Sequence, residues 1–341
     1  MLSWFEKRID PFPAEAPEQP PTTLFAFCWH YTKGIWPWLA ITSVLIAAIS
    51  ALQVALFGFL GNIIDWLAGA DRATVLADEG WTLAGMGFVI LVLLPGLGLI
   101  HTMVMHQTIF GNYPMLIRWK AHRYLLGQSF GFYQDEFAGR VATKMMQTAL
   151  GVRETVVKIL DVLIYVVVYF VGTLVLVAAL DVRLMLPFLV WLVFYAGMLR
   201  YFLPRMRRIS EEQSNARSTM TGRVVDSYTN IQTVKLFAHS GLEEDYARQS
   251  MSGFLGTVYR QMRMVTSLNA IVYLNNSLLV FLIAAGGIYL WLGELVTAGA
   301  VAAAVGLALR IKSMSQWIMW EVAALFENIG VVFDGMAMLK K

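Results

Sequence analysis

The feature that most constrains this chain is a series of six apolar stretches, each long enough to cross a lipid bilayer. An α-helix needs about 20 residues to span roughly 30 Å of hydrocarbon. The stretches cover residues 35–60, 81–105, 159–180, 184–203, 268–290 and 296–317. Because 58% of the 341 residues are hydrophobic and only 14% are charged, with a mean hydropathy of +0.60, the composition excludes a soluble domain. The sequence therefore predicts an all-α integral membrane protein with six long transmembrane helices.

The distribution of basic residues predicts the orientation of these helices. The connectors after the first, third and fifth stretches carry only Arg72 and Arg183, out of 26 lysines and arginines in the chain. The positive-inside rule then places both chain ends and two long loops in the cytoplasm. No cleavable signal peptide precedes the first stretch, which is longer than a signal-peptide core. Short outer connectors and the lack of a targeting peptide favour a bacterial inner membrane.

The segments outside the membrane region differ in composition from it. Residues 1–22 contain half of the ten prolines and few apolar residues, which predicts a disordered tail. In residues 23–34, apolar side chains recur at helical spacing, which predicts a short interfacial helix. Residues 35–320 form the predicted six-helix domain, and residues 321–341 continue it as a helical extension.

Two long polar excursions, residues 106–158 and 200–263, interrupt the apolar stretches on the predicted cytoplasmic side. Each has amphipathic arms on either side of a short segment with exposed apolar residues, SFGFYQDEFAGR at 129–140 and SYTNIQTVKLFAHSGLE at 227–243. Apolar residues at the tip of a long helical hairpin favour a docking surface for a partner in the water phase. The alternative is an ordinary hairpin whose apolar residues pack on its own arms.

Polar residues inside the apolar stretches are functional candidates because their burial in lipid is costly. His101 and His106 lie about 140° apart around a straight helix, so they cannot share a metal ion. Pro95 and the glycines that follow it predict a bend in the second span. Asp161, near the inner end of the third span, is expected to pair with a neighbouring lysine or arginine. No catalytic dyad, triad or metal centre is evident, and the spread of arginines along the arms argues against nucleic-acid binding.

Taken together, these features resemble the transmembrane half of an ABC exporter of the half-transporter type. The second excursion resembles the pattern E-x-x-x-G-I-x-x-V-K-x-F-x-x-E at Asp226, Ile231, Val234, Lys235, Phe237 and Glu243, with Asn230 in place of the glycine. The first resembles F-F-D-x-x-x-x-G-x-V-x-x-R at Phe132, Tyr133, Gly139 and Val141, with Lys144 in place of the arginine. The GELVTAG segment at 293–299 is similar to the turn that precedes the last span in this family.

The resemblance implies an ABC transporter type 1 transmembrane fold, with an elbow helix at 23–34 and a coupling helix at each cytoplasmic tip. The residues implied in coupling to a nucleotide-binding domain are Phe130, Tyr133, Gln134, Asp135, Glu136, Tyr228, Thr229, Asn230, Ile231, Gln232, Val234 and Lys235. It also implies that the last two spans line a substrate cavity. The candidate cavity residues are His101, Asn275, Asn276, Arg310, Lys312 and Trp317. Arg310 and Lys312 would favour a negatively charged amphipathic substrate, unless both side chains extend to the inner interface.

The resemblance further implies a dimer of two identical or homologous halves that uses ATP and Mg²⁺ for multidrug or lipid export. No glycine in this sequence is followed by lysine, so it contains no GxxxxGK[ST] phosphate loop. The nucleotide-binding domain is therefore expected to be missing from this chain or supplied by another polypeptide, and ATPase activity is expected only with it. Two other functions stay open on the sequence: an ion-coupled secondary transporter and a non-transporting scaffold that binds a cytosolic partner.

Overall fold

The structure, a computed structural model, describes residues 2–16, 18–69, 74–135, 138–236 and 240–339, and within these ranges it contains helices and no strands. The helices are α1 (Leu2–Glu6), α2 (Leu24–Thr32), α3 (Trp36–Gly69), α4 (Val75–Leu126), α5 (Phe130–Asp135), α6 (residues 138–180), α7 (Val182–Thr229), α8 (Ile231–Leu236), α9 (Ser240–Leu292) and α10 (Ala298–Leu339). Six of them, α3, α4, α6, α7, α9 and α10, are long and apolar enough to cross a membrane. The predicted all-α fold with six spans is confirmed.

Two of the spans contain turns of π-helix. In α4 these turns are Val89–Leu93 and Val104–Phe110, and in α6 the turn is Lys158–Leu163. Pro95 lies two residues after the end of the first of them, in the first turn of the helix that follows, where its missing amide hydrogen is tolerated. The bend near Pro95 stays a prediction, and α4 continues through this region to Leu126.

The chain forms two compact units, and their boundaries fall near the start of α7 and in the last quarter of α9. The first unit contains Met1–Met185 and Ile283–Lys341. Its largest buried cluster joins α2, the second half of α4, the first half of α6 and the end of α10. Side chains with no or almost no exposure at its centre are Phe27, Ile109, Tyr113, Ala149 and Val332. Residues 321–339 continue α10, and Val332, Gly335, Met336, Met338 and Leu339 among them are buried.

The proline-rich tail also differs from its prediction. Ile9 is buried, the Phe5 carbonyl oxygen accepts a hydrogen bond from Thr108 Oγ1 at 3.1 Å, and the Pro13 carbonyl oxygen accepts one from Trp119 Nε1 at 3.0 Å. Prolines leave carbonyl oxygens without amide partners in their own segment, and donors on α4 bond to these oxygens. Residues 2–16 are therefore ordered against α4, and the prediction of disorder is wrong for them.

The first and last spans, α3 and α10, pack closely through small residues. A Cβ atom on Gly299 would lie 2.0 Å from the Gly61 carbonyl oxygen, and a Cβ atom on Gly306 would lie 2.8 Å from the Phe57 ring. Only glycine permits such an approach of two helix backbones. This packing fixes one wall of the cavity described below.

Candidate functional site

A cavity of about 450 Å³ lies between α3, α6 and α10 in the first unit. Its lining residues are Ile46, Asp161, Val162, Tyr165, Arg310, Ser313, Met314 and Trp317. Apolar and aromatic walls with a few convergent polar groups are the usual composition of a small-molecule site. The cavity lies between candidate membrane spans. Charged residues in such a position are costly to bury and are therefore functional candidates.

Arg310 brings a guanidinium group to this cavity. Its Nη2 donates a hydrogen bond to the Tyr165 hydroxyl at 3.3 Å, and that hydroxyl donates to Gln53 Oε1 at 2.8 Å. Within the described ranges, Arg310 makes no ion pair with a carboxylate. Arg310 is exposed at this cavity, and its remaining N–H groups can donate charge-assisted hydrogen bonds to an anion.

Asp161 lines the same cavity and contacts His101. Its Oδ1 lies 2.7 Å from His101 Nε2, and both side chains are mostly buried. The expected pairing with a lysine or arginine is wrong, because the nearest lysine along the helix, Lys158, pairs with Glu321 on α10. Asp161 lies within the π-helical turn of α6, which shifts its direction relative to a regular helix.

The structure separates the candidate cavity residues into three groups. Arg310 and Trp317 line the cavity, and His101 contacts it through Asp161. Lys312 is not part of the lining, because two residues along a helix correspond to a rotation of about 200°. The prediction that Arg310 and Lys312 act together is therefore replaced by one in which Arg310 acts alone.

Asn275 and Asn276 lie on α9 in the second unit, Leu186–Leu282. Both are buried. Asn276 Oδ1 accepts a hydrogen bond from Trp191 Nε1 at 3.0 Å, whereas Asn275 Nδ2 has no hydrogen-bond partner within the part of the chain that the structure describes. The Asn276 contact joins α7 to α9, so this residue has a structural partner of its own.

Gln53 and Tyr165 were not among the candidates from sequence. Gln53 interrupts the apolar run of the first span, and Tyr165 lines the cavity together with Asp161. The Tyr165 ring also meets the Trp317 ring edge to face, with centroids 5.9 Å apart. The polar residue in an apolar run was a usable signal, but its partner on another helix was not visible in the sequence.

The tip of the first hairpin is the short helix α5. The Phe130 side chain is 78% exposed, and the Tyr133 hydroxyl donates to the Leu125 carbonyl oxygen at 2.8 Å, which ties α5 to the end of α4. Gln134 and Asp135 belong to α5, but the structure does not describe their side chains. Glu136 lies outside the described residues.

The tip of the second hairpin is the short helix α8, reached from Thr229 through Asn230. Here Tyr228 is 71% exposed and Leu236 is 81% exposed. Ile231, Gln232 and Lys235 are also exposed, and Val234 is half-buried. Phe237 lies outside the described residues. The alternative in which the apolar tip residues pack on their own arms therefore does not describe Tyr228, Ile231 or Leu236.

The arms of the second hairpin, on α7 and α9, are joined by polar contacts at several levels. The contacts are Arg260 Nη1 to Glu212 Oε2 at 3.1 Å, Arg217 over the Phe254 ring, Arg223 over the Tyr246 ring at 4.1 Å, and Ser227 Oγ to Glu243 Oε1. The order of the pairs shows two antiparallel helices in constant register. Arms joined in this way can transmit a displacement of the tip along their length.

Three comparisons with known proteins agree with these features. A family model described as the ABC transporter transmembrane region matches residues 39–313. A Haemophilus influenzae protein named an uncharacterized ABC transporter ATP-binding protein is 43% identical over 341 residues, which are 100% of this chain and 55% of the relative. A bacterial Atm1-family ABC exporter, solved with ATP bound, has a TM-score of 0.65 at 14% identity, over 89% of this chain and 54% of that one. The last comparison shows a shared fold.

Proposed function

This chain belongs to the ABC transporter transmembrane family, and from that premise we propose that it is the membrane-spanning half of an ATP-driven exporter. The observation that carries the proposal is the pair of helical tips, α5 and α8, whose aromatic and apolar side chains are exposed to the surroundings. These tips offer the docking surfaces through which a nucleotide-binding domain would drive the spans between two states.

The proposed partners follow from the same premise. The chain spans about half the length of the curated relative that it matches, and that relative is named an ATP-binding protein. From this similarity we propose that transport by this chain depends on ATP. The residues of this sequence contain no phosphate loop, so ATP and Mg²⁺ would be held by a nucleotide-binding domain. The broad apolar surface left exposed on the spans suits lipid and a second copy or a homologous half.

For the substrate, the cavity beside Arg310 supports an amphipathic molecule that carries a negative charge. The Arg310 guanidinium would bind the charged group, and Trp317, Met314 and Ile46 would contact the apolar body. Alternating access would expose this cavity to each side of the membrane in turn. The concentration of lysine and arginine around the hairpins supports a bacterial inner membrane with both termini in the cytoplasm.

The decisive experiment changes the tip of the second hairpin. Tyr228→Asp with Ile231→Asp places two charges on exposed positions, so the chain itself should fold normally. In a reconstituted complex with its nucleotide-binding domain, we expect loss of association and of substrate-stimulated ATPase activity. Met251→Asp, at an exposed apolar position on the arm, is the matched control and should retain both. Unchanged stimulation in the double variant would refute the coupling role.

The contact between His101 and Asp161 favours one second candidate, a transporter driven by a proton gradient, because a histidine and a carboxylate beside a cavity can exchange protons with it. Uptake assays in vesicles distinguish the two candidate functions. Uptake that requires ATP and ignores an imposed pH gradient supports the exporter, and uptake driven by the gradient without ATP supports the second candidate.

A further inference from the structure

The N-terminal strap, residues 2–16 together with Glu18, lies across α2 and α4 and meets a group of basic side chains there. Its path is fixed by backbone contacts: Asn112 Nδ2 donates to the Glu6 carbonyl oxygen at 2.8 Å, and Arg123 Nη1 donates to the Glu15 carbonyl oxygen at 2.6 Å. The Phe12 and Trp119 rings pack edge to face, with centroids 5.5 Å apart. The strap is therefore held by contacts that do not involve its carboxylates.

The basic cleft consists of His30 on α2, Lys33 directly after α2, and Lys120 and Arg123 on α4. It faces two carboxylates of the strap. Glu18 Oε2 lies 3.4 Å from Lys33 Nζ and 3.8 Å from His30 Nδ1, and Glu15 Oε2 lies 3.5 Å from Lys120 Nζ. Glu15 and Glu18 of the strap and His30, Lys120 and Arg123 of the cleft line one small space. Two anionic groups from the same segment thus occupy a site built from four basic side chains.

The two carboxylates are weakly held. The Glu15 side chain is 74% exposed and that of Glu18 is 66% exposed, and all three N–O distances exceed the 2.7–2.9 Å of a strong charge-assisted hydrogen bond. Exposed ion pairs of this kind contribute little to stability because solvent screens them. An anion with more acceptor oxygens and higher charge density would replace them at small cost.

The surroundings of the cleft favour one source for such an anion. Trp4, Phe25, Trp29 and Trp36, on α1, α2 and the start of α3, all have side chains at least half exposed. Exposed aromatic residues next to basic ones mark the level of lipid headgroups in membrane proteins. Burial is the main cause that lowers the pKa of His30, and the charge of Lys33 lowers it further against the opposing charge of Glu18.

We propose that the basic cleft of His30, Lys33, Lys120 and Arg123 binds the phosphate of an anionic phospholipid headgroup, and that Glu15 and Glu18 are internal competitors for this site. Headgroup binding would release the two carboxylates. Because Arg123 also donates to the Pro13 and Glu15 carbonyl oxygens, a headgroup that binds Arg123 would loosen this end of the strap. The proposal rests on the orientation given above, in which this end of the spans faces the anionic inner leaflet, and it does not depend on transport.

The first test measures lipid binding to the chain in detergent by native mass spectrometry, with phosphatidylglycerol and phosphatidylcholine of equal acyl length. We expect Lys33→Gln with Lys120→Gln to weaken phosphatidylglycerol binding by about 25-fold, at roughly five-fold per lysine. Glu15→Gln with Glu18→Gln should strengthen it. Controls are Lys7→Gln and Glu6→Gln, exposed strap positions with no ion pair among the described residues, and both should bind as the wild type does.

The second test follows amide hydrogen exchange of residues 8–16 in nanodiscs. Phosphatidylglycerol should raise this exchange in the wild type but not in the Lys33→Gln, Lys120→Gln variant. The Glu15→Gln, Glu18→Gln variant should exchange as the wild type does in phosphatidylcholine and should reach the raised exchange at a lower content of phosphatidylglycerol. Equal binding of both lipids, or no effect of the glutamate changes, would overturn the proposal. If inorganic phosphate alone displaced the strap at millimolar concentration, the anion that binds the cleft would be free phosphate and not a lipid headgroup. Because no ATP or cargo is present, failure here leaves the exporter proposal untouched.

Discussion

Asp65 on α3 caps the amino terminus of α10 through the backbone of Gly299, with Oδ1 2.8 Å from the Gly299 nitrogen. The second carboxylate oxygen accepts a hydrogen bond from Thr297 Oγ1 at 2.6 Å. A negative charge at a helix amino terminus satisfies amide groups that have no partner in the helix and interacts favourably with the helix dipole. Here the cap comes from another span, so it also joins the first transmembrane helix to the last.

This cap makes Gly299 a site where a single methyl group should be destabilising. A Cβ atom in Gly299→Ala would lie 2.0 Å from the Gly61 carbonyl oxygen and 2.7 Å from the Asp65 carboxylate, so two helix backbones must move apart. We expect a loss of about 1–3 kcal/mol in the free energy of unfolding in detergent, the usual cost of overpacking. Thermal unfolding followed by circular dichroism measures it.

The control is Gly330→Ala on the same helix. A Cβ atom at Gly330 meets nothing within 4 Å, and alanine favours helix over glycine by roughly 0.5–1 kcal/mol. This variant should therefore be as stable as the wild type or slightly more so. Equal loss of stability in both variants would show that the close approach of Gly299 to α3 is not the cause.

The sequence predicts the spans well and their contacts poorly, and the cap illustrates why. Six apolar stretches of membrane length follow from composition alone, and the structure contains six such helices. The turn at 293–299 is also recognisable, yet its partner Asp65 lies 234 residues away from Gly299. Helical periodicity reports local geometry only, so contacts between helices that are distant in sequence lie beyond it.

The candidate cavity shows the same limit. Arg310 and Trp317 stand out as polar or aromatic residues in a span, but Tyr165, which contacts both, does not. The π-helical turn around Asp161 further shifts the helix face away from the one that a regular period of 3.6 residues predicts. The prediction of disorder for residues 2–16 was wrong for another reason. The carbonyl oxygen of Pro13 accepts hydrogen bonds from Trp119 and Arg123, and the sequence of the tail does not reveal these distant donors.

The single cysteine gives a prediction about reactivity. Burial raises the pKa of the Cys28 thiol to about 11, from an ordinary value of 9.0. Since the thiolate is the reactive form, alkylation by iodoacetamide at pH 8 should be about 100-fold slower than for a free thiol, as two pH units dictate. Alkylation quenched at a series of times and quantified by mass spectrometry measures the rate.

A cysteine at an exposed strap position provides the comparison for this measurement. Ala16→Cys in a Cys28→Ser background should react at the rate of a free thiol, because Ala16 is exposed. Denaturant should abolish the difference between the two variants. Fast labelling of Cys28 in the folded chain would mean that α2 does not bury this side chain in solution.

The arms of the second hairpin give a prediction about local stability. Arg223 lies over the Tyr246 ring and its Nη1 donates to the Tyr246 carbonyl oxygen at 3.3 Å. Arg223→Ala removes both interactions, and an exposed cation–π contact alone contributes about 0.5–1 kcal/mol. Amide exchange near the tip should therefore rise by roughly two- to five-fold. Arg248→Ala, at an exposed position for which the structure describes no contact, should leave exchange unchanged.

The cavity gives the most direct test of substrate charge, because the structure separates two basic residues that lie two positions apart. Arg310 lines the cavity and Lys312 does not. In the reconstituted transporter, Arg310→Ala should weaken binding of an anionic amphiphile by about 10- to 100-fold, the range expected for loss of a hydrogen bond to a charged group. Lys312→Ala should bind it as the wild type does, and a neutral analogue of the amphiphile should bind all three proteins alike.

Fluorescence titration with a matched anionic and neutral pair measures these affinities. If Arg310→Ala weakened binding of both ligands equally, the cavity would have collapsed in this variant. If Arg310→Ala and Lys312→Ala weakened binding of the anionic ligand equally, both basic residues would recognise its charge.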